Sequence, residues 1–366
     1  MAHDARTILV TGATGLLGGR TLAHMLASRP RLRAVVLVRD PRRWDIAAAA
    51  LRIDRSRLDV AVGDVALPGL GLDAASRARL ASTVSTVIHA AADTSFSQSL
   101  AHARAVNVEG TRNLLDLAAS WPGERRFVYV STAFVAGRRT GIVAERDNGD
   151  ASGFVNAYEQ SKHEAECLVR ASGTSWVILR PSTVVCDSER GEVTQVNAIH
   201  RALRLYYNGL APMLPGDEST PIDVVTADYV SRAIAALVLR CDAGGQTIHL
   251  CAGAGAMPLG ELLDATWLRW AAAEGWRRKS IARPSLADLA TYRLFEEMVA
   301  ESGDPRLVRI MRSLSHFVPQ LALPKHFDTT RADAMLGERA PVVRGFWPRM
   351  IDHLSTGAWG ASQVAA

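Results

Sequence analysis

The chain has 366 residues, 48% of them hydrophobic and 22% charged, an ordinary globular usage that excludes a disordered or collagen-like polymer and is long enough for a sizeable core. Lys and Arg number 42 against 37 Asp and Glu, a net charge of +5. The excess is dispersed along the chain, which argues against a nucleic-acid binder and for a mild attraction to anionic ligands, such as a phosphorylated cofactor or an acidic carrier.

In chain order, Thr7–Val10 is a short apolar run ending in Thr11-Gly12 and reads as a buried strand. Leu16–Ser28 follows with apolar residues at helical spacing, and Pro30 stops it. Ala34–Val38, Leu58–Val62, Val84–His89, Phe127–Val130, Trp176–Leu179 and Thr247–Leu250 are further predicted strands. Val106–Ala119 and Ala157–Ala171 are predicted helices between them. Near-continuous Val/Ile/Leu strands alternating with helices imply an α/β fold, a Rossmann-type doubly wound parallel sheet of about seven strands covered on both faces.

The spacing predicts a division into two units. Residues 1–185 plus 222–252 form the dinucleotide-binding domain, and 186–221 plus 253–366 form a smaller, mostly helical substrate lobe. In that lobe Leu259–Ala273, Leu286–Ser302 and Arg306–Leu314 read as helices, and the Pro- and Gly-punctuated remainder shows no periodicity. Tyr206, Trp267, Trp270, His316 and Phe317 are its candidate pocket residues, with ordinary packing as the alternative. Cys167, Cys186, Cys241 and Cys251 form no CxxC pair and read as free thiols, not zinc ligands or disulfides. Met1–Arg6 lacks a signal-peptide pattern. The longest clearly apolar run, Ala233–Leu239, is far below the ~20 residues of a bilayer span. The expectation is a cytoplasmic protein with no membrane span.

The strongest local signal is Thr11-Gly12-Ala13-Thr14-Gly15-Leu16-Leu17-Gly18, which directly follows a strand and opens a helix. A turn this tight needs residues without Cβ, and it lets a pyrophosphate approach the backbone. The N–H groups at the helix start, around Thr14, Leu16 and Leu17, favour phosphate. The second strand ends in Arg39 instead of the acidic residue that usually meets the ribose of NAD. That favours a 2′-phosphate and therefore NADPH, with NADH as the alternative. Asp64, beside Val65, either accepts from the adenine amino group or caps the next turn. Ala90, Ala91 and Ala92 are small enough for the backbone to pass close under the cofactor.

The catalytic constellation is Ser131-Thr132 at a strand end together with Tyr158-Glu-Gln-Ser-Lys162. The i, i+4 spacing puts Tyr158 and Lys162 on one helix face. A phenol is a weak acid near neutrality, and a nearby ammonium is expected to lower its pKa. Phenol, ammonium and a second hydroxyl together make a proton-delivery device beside a hydride donor.

These segments, with Val106-Asn-Val-Glu-Gly-Thr-Arg-Asn-Leu114 and Leu179-Arg-Pro-Ser182, resemble the extended short-chain dehydrogenase/reductases. Within them the chain is most similar to the thioester reductase and fatty acyl-CoA reductase (male sterility) branch, over about residues 7–250. The resemblance implies that Gly12, Gly15 and Gly18 hold pyrophosphate, that Arg39 meets the 2′-phosphate, and that Asp64 and Val65 flank adenine. It also implies that Asn107 supports the site, that Thr132 is the catalytic hydroxyl and that Tyr158 is the acid. Lys162 would bind the nicotinamide ribose, and Pro181 and Thr183 would line the nicotinamide. Two positions depart from the branch pattern: Gly19, with Arg20 one place later, stands where many members carry Arg, and Cys186 stands where Gly is common.

The expected activity is NADPH-dependent reduction of a carrier- or CoA-bound thioester to an aldehyde. No adenylation or carrier-like segment is read ahead of the first strand, so an acyl carrier protein would act in trans. A ketoreductase of a bulky natural-product or steroid-like ketone is the alternative. A nucleotide-sugar epimerase or dehydratase fits less well, because Arg39 opposes tightly held NAD. A catalytically silent dinucleotide-binding module is the non-enzymatic alternative.

Overall fold

The computed structural model describes residues 7–146 and 152–357. The expectations for Met1–Arg6 and for the end of the tail, 358–366, lie outside the described residues. Seven parallel strands form the central sheet: β1 (Thr7–Thr11), β2 (Arg33–Val38), β3 (Leu58–Val62), β4 (Val84–His89), β5 (Arg126–Val130), β6 (Ser175–Pro181) and β7 (Gln246–Leu250). Their spatial order is β7-β6-β5-β4-β1-β2-β3. The chain therefore winds outward in both directions from the β4/β1 boundary. At such a switch point the connections leave on opposite sides and open a crevice at the carboxyl ends of the strands.

Helices α1 (Leu16–Ser28), α2 (Pro41–Ala50), α3 (Ala74–Thr83), α4 (Glu109–Ala119), α5 (Ala157–Ala171), α6 (Ala198–Tyr207) and α7 (Ala227–Leu237) follow through residue 237. Side chains alternate across a strand, and the two faces of the sheet bury different sets. Ile8, Val10, Val36 and Ile88 pack with Leu22 and Met25 of α1 and with Val230 and Ile234 of α7. Leu9, Val35, Val87, Phe127 and Ile178 pack on the opposite face with Leu80 of α3, Leu114 and Leu115 of α4, and Ala165 and Val169 of α5. Both faces are covered, which is why the strands read as continuous apolar runs.

Two helix boundaries differ from the sequence reading. The predicted helix Val106–Ala119 is a π turn over Arg104–Val108 running into α4. The wider turn inserts an extra residue per turn and re-aims the side chains around Asn107. Beyond residue 252 lie α8 (Leu259–Ala271), α9 (Leu289–Glu301), α10 (Pro305–Leu314) and α11 (Val343–Ser355). The last was missed because Pro348 lies inside it, and Pro ordinarily ends a helical pattern. The predicted start of α9 at Leu286 is instead a short strand, Ser285–Ala287, paired with Met213–Pro215.

The apolar cluster on the α1/α7 face of the sheet continues without a break into α6, α8 and α11. Tyr206, Trp270 and Trp276 form an aromatic group there, with Tyr206 edge-on to Trp270 at a ring-centroid distance of 5.1 Å and Trp276 tilted against Trp270. The indole N–H of Trp276 donates to Tyr207 O, and that of Trp267 to Ile281 O. Tyr206, Trp267 and Trp270 are therefore packing residues, as the alternative reading had it. The His316 side chain is exposed, and of the five candidate side chains Phe317 stacks on Phe96, whose ring lies against Tyr158. Among the described residues, no helix is long and apolar enough to cross a membrane.

Candidate active site

The crevice at the β4/β1 boundary is built by backbone proximity. Gly12 has φ +72°, and a Cβ on it would lie 2.5 Å from Ala90 C. Only glycine lets the β1 turn close against the end of β4. A Cβ on Gly18 would lie 2.3 Å from Gly12 O, so α1 also presses directly on the turn. Gly15 stands at the N-cap of α1 with no side-chain cap, and the first turn carries no acidic residue. Its leading N–H groups are thus left for an anion.

One cleft is lined by Thr11, Gly12, Thr14, Gly15, Arg39, Asp64, Val65, Ala90, Ala91 and Ala92, together with Val106. The structure thus gathers most of the residues expected on the nucleotide side into a single surface. Arg39 is exposed at its rim and makes no hydrogen bond or ion pair among the described residues. Asp40 is engaged elsewhere, capping α2 by accepting from Arg42 N at 2.9 Å. Asp64 makes a capping turn as well, accepting from Ala66 N at 3.0 Å, while still facing the cleft. Gly19 is enclosed by Ala13 O and Leu51, which leaves no room for a side chain. Arg20 instead approaches Asp187 at 4.0 Å.

His89 is fully enclosed beneath this cleft, and burial, followed by the charge of Lys162, holds its pKa at about 3. Its neutral ring bridges Thr11 Oγ1 at 2.8 Å through Nδ1 and Thr111 Oγ1 at 3.0 Å through Nε2. The Thr111 hydroxyl donates to Asn107 O, so it accepts from His89 Nε2–H. Nδ1 then accepts from Thr11, whose oxygen in turn accepts from Ala91 N. A continuous hydrogen-bonded chain therefore joins the turn after β4 to the π turn before α4.

Thr132 stands just past the end of β5 and Tyr158 in the first turn of α5. The Thr132 hydroxyl lies beside the phenol and acts to lower its pKa. Lys162 is one turn further along α5, with Nζ donating to Val130 O at 2.8 Å and lying over the Tyr129 ring. The three expected catalytic side chains thus converge where β5 ends. The electrostatics differ from the sequence expectation in one respect. Burial pushes the Tyr158 phenol up to about 12, partly offset by Thr132, so no ammonium-induced lowering is present. Burial also lowers Lys162 to about 7, against the raising effect of Glu166. Desolvation outweighs the charge pairing because both groups lie inside the fold.

Asn107 is not part of the cleft lining. Its Nδ2 donates to Asp93 O and Ser161 Oγ, and its Oδ1 accepts from Asp93 N at 2.8 Å. It ties the loop after β4 to α5, where Ser161 Oγ donates to Tyr158 O. Gly18, Lys162, Pro181 and Thr183 also lie outside that cleft, Pro181 at the buried end of β6 and Thr183 opening the next short strand. Sequence reasoning missed Asn113, whose Nδ2 donates to Val65 O and fixes the turn beside Asp64. It also missed Phe96, whose ring lies 5.5 Å from that of Tyr158. Neither carries a local signal, since each is defined by a partner distant in sequence.

The comparisons with known proteins agree with this geometry. The family model described as male sterility protein, an NAD-binding domain, matches residues 10–234. The chain is 29% identical over 247 residues to a hybrid PKS-NRPS synthetase of Acremonium sp., covering 64% of this chain and 6% of that protein. It is 26% identical over 272 residues to a putative fatty acyl-CoA reductase of Drosophila melanogaster, covering 62% of this chain and 50% of that one. The chain thus spans half or less of the length of these curated relatives. Among solved structures, the terminal R domain of the myxalamid PKS-NRPS pathway matches with a TM-score of 0.80 and 26% identity, over 99% of this chain and 93% of that one. The glycine turn, the cleft at the switch point and the family match over most of the sheet lead to one assignment: the chain belongs to the male sterility family of NAD-binding domains, within the extended short-chain dehydrogenase/reductases.

Proposed function

We propose that the chain is an NADPH-dependent reductase that converts a carrier- or CoA-bound thioester to an aldehyde. The observation that carries this reading is the convergence of Thr132, Tyr158 and Lys162 at the end of β5, at the carboxyl end of the sheet that also forms the Arg39-rimmed cleft. Bound NADPH would supply the hydride to the thioester carbonyl carbon. In this reading Gly12, Thr14, Gly15, Leu16 and Leu17 hold the pyrophosphate against the start of α1, and Gly18 allows α1 to close on the turn. Asp64, Val65 and Ala90 to Ala92 bracket the adenosine, while Asn107 holds the loop that continues from Ala92. Pro181 and Thr183 flank the nicotinamide.

Thr132 orients the substrate carbonyl, and the phenol, which stays protonated at neutral pH, gives its proton to the carbonyl oxygen; the hemithioacetal so formed breaks its C–S bond to release the aldehyde and the carrier or CoA thiol. In its protonated form Lys162 has three donors. One holds Val130 O, and two remain for the ribose hydroxyls of the nicotinamide half. Residues 186–221 and 253–366 form the substrate lobe in this reading, with residues 1–185 and 222–252 as the nucleotide domain. In this reading an acyl carrier protein acting in trans would deliver the thioester.

The test is direct. Purified protein with NADPH and octanoyl-CoA, or octanoyl-pantetheine on a carrier protein, is expected to oxidise NADPH and release octanal, trapped as a hydrazone. NADPH oxidation with bulky ketones and none with either thioester would replace this reading with ketone reduction. Arg39→Asp is expected to raise KM for NADPH by about ten- to a hundredfold, the loss of one charge-assisted contact, while NADH is used as well as before or better. Steady-state kinetics with both nucleotides check this. An unchanged preference would move recognition of the 2′-phosphate away from Arg39.

A further inference from the structure

The wall beside the phenol comes from a distant part of the chain. Phe317 stacks on Phe96 with planes 8° apart and centroids 6.3 Å apart, and Phe96 lies against Tyr158. Phe317 follows α10 in a segment that runs to Lys325 and is fastened to the start of α5 by polar contacts. Asn156 Nδ2 donates to His316 O at 3.1 Å. Gln320 Nε2 donates to Glu159 Oε1 at 2.5 Å, and Lys325 Nζ donates to Gln320 Oε1 at 2.8 Å and to Leu323 O. The other oxygen of Glu159 accepts from Val155 N at 2.9 Å.

Glu159 is 1% exposed and Lys325 5%. Burying a carboxylate and an ammonium is costly, and well-packed apolar residues often hold two segments together equally well. What this polar arrangement adds is direction. Each contact has a fixed donor and acceptor, and together they admit one register of 316–325 on α5. Asn156 and Glu159 flank Tyr158 in the same turn, so the fastening and the phenol share one rigid element.

We propose that Asn156, Glu159, Gln320 and Lys325 are a positioning clasp that seats Phe317 on Phe96, and that this aromatic wall selects an apolar acyl chain for the carbonyl held at Tyr158. The proposal rests on the reductase reading above for the location of that carbonyl. Phe317 is the specificity-determining residue. The clasp residues act through it and touch neither cofactor nor substrate.

The probes are octanal and acetaldehyde, reduced with NADPH, with octanoyl-CoA assayed in parallel. In Phe317→Ala and in Gln320→Leu, the selectivity for octanal over acetaldehyde, as the ratio of kcat/KM, is expected to fall about tenfold, the scale of one apolar contact in a pocket. The loss should reside in KM for octanal and not in kcat. NADPH affinity, read by fluorescence of the bound nucleotide, reports whether each variant is folded. The exchanged pair E159Q/Q320E reverses donor and acceptor and keeps a partner for Lys325, so it is expected to restore the selectivity lost in Gln320→Leu. Unchanged selectivity in Phe317→Ala, a loss carried by kcat, or failure of the exchanged pair to recover the ratio would each overturn the clasp. If octanal is reduced with the expected ratios but octanoyl-CoA is not consumed, the thioester reading falls and the clasp stands. A wild-type chain that reduces neither removes both.

Discussion

Tyr158→Phe is expected to lower kcat by about 10²- to 10⁴-fold, the usual contribution of a positioned general acid, with NADPH binding largely retained. The ring stays in place because its packing against Phe96 does not involve the hydroxyl. What is lost is the proton donor and the partner of Thr132. The direction of the pKa matters here. A phenol pushed up to about 12 is fully protonated at neutral pH, which is the state that reduction requires and oxidation does not. Single-turnover rates with NADPH, alongside a nucleotide titration of the variant, separate chemistry from binding. Near-normal turnover in the variant would remove Tyr158 as the acid and leave the cleft as a nucleotide-holding scaffold.

The second large effect concerns stability. Glu166 of α5 is fully buried and receives a two-pronged contact from Arg180 of β6, with Nε at 2.9 Å and a terminal nitrogen at 2.7 Å. Arg170 adds a third contact at 2.8 Å. Burial alone would raise the carboxyl, but the two guanidinium groups outweigh it and hold the pKa at about 2. Arg180→Leu leaves the carboxylate inside the fold with Arg170, only 16% exposed, as its remaining guanidinium partner, and is expected to cost roughly 3–5 kcal/mol, read from urea unfolding. The pH dependence has a definite sign. The folded pKa lies below the ordinary value of 4.5, so the stabilisation is complete above that value and is lost as pH falls from there toward about 2. In Arg180→Leu that part of the acid-limb slope should flatten. Equal slopes in the two proteins would show that Glu166 is not the group responsible.

This ion pair shows why some features are legible in sequence and others are not. Arg180 stands in the Leu-Arg-Pro-Ser run that supports the family resemblance, yet nothing in its neighbourhood identifies Glu166, fourteen residues earlier on a helix, as its partner. Tyr158 and Lys162 are visible because their relation is one helical turn. The pKa of Tyr158 is not, because it depends on how much of the molecule closes over it. Asn107 shows the same division. Its place in a helix is readable, whereas the π turn that re-aims it, and its grip on both Asp93 and Ser161, require the assembled sheet.

Sequence alone determined the seven strands, the glycine turn and the Tyr-x-x-x-Lys pair, since each rests on a period or spacing of a few residues that any local stretch of backbone imposes. Tertiary structure alone decided that Gln320 reaches Glu159 of the catalytic helix from some 160 residues away, with Phe317 on Phe96 and Lys325 on Gln320 beside it, that Trp267 and Trp270 are packing, and that burial raises the Tyr158 phenol. Those outcomes follow from burial and from contacts across the fold, and desolvation and long-range packing leave no periodic trace in the chain.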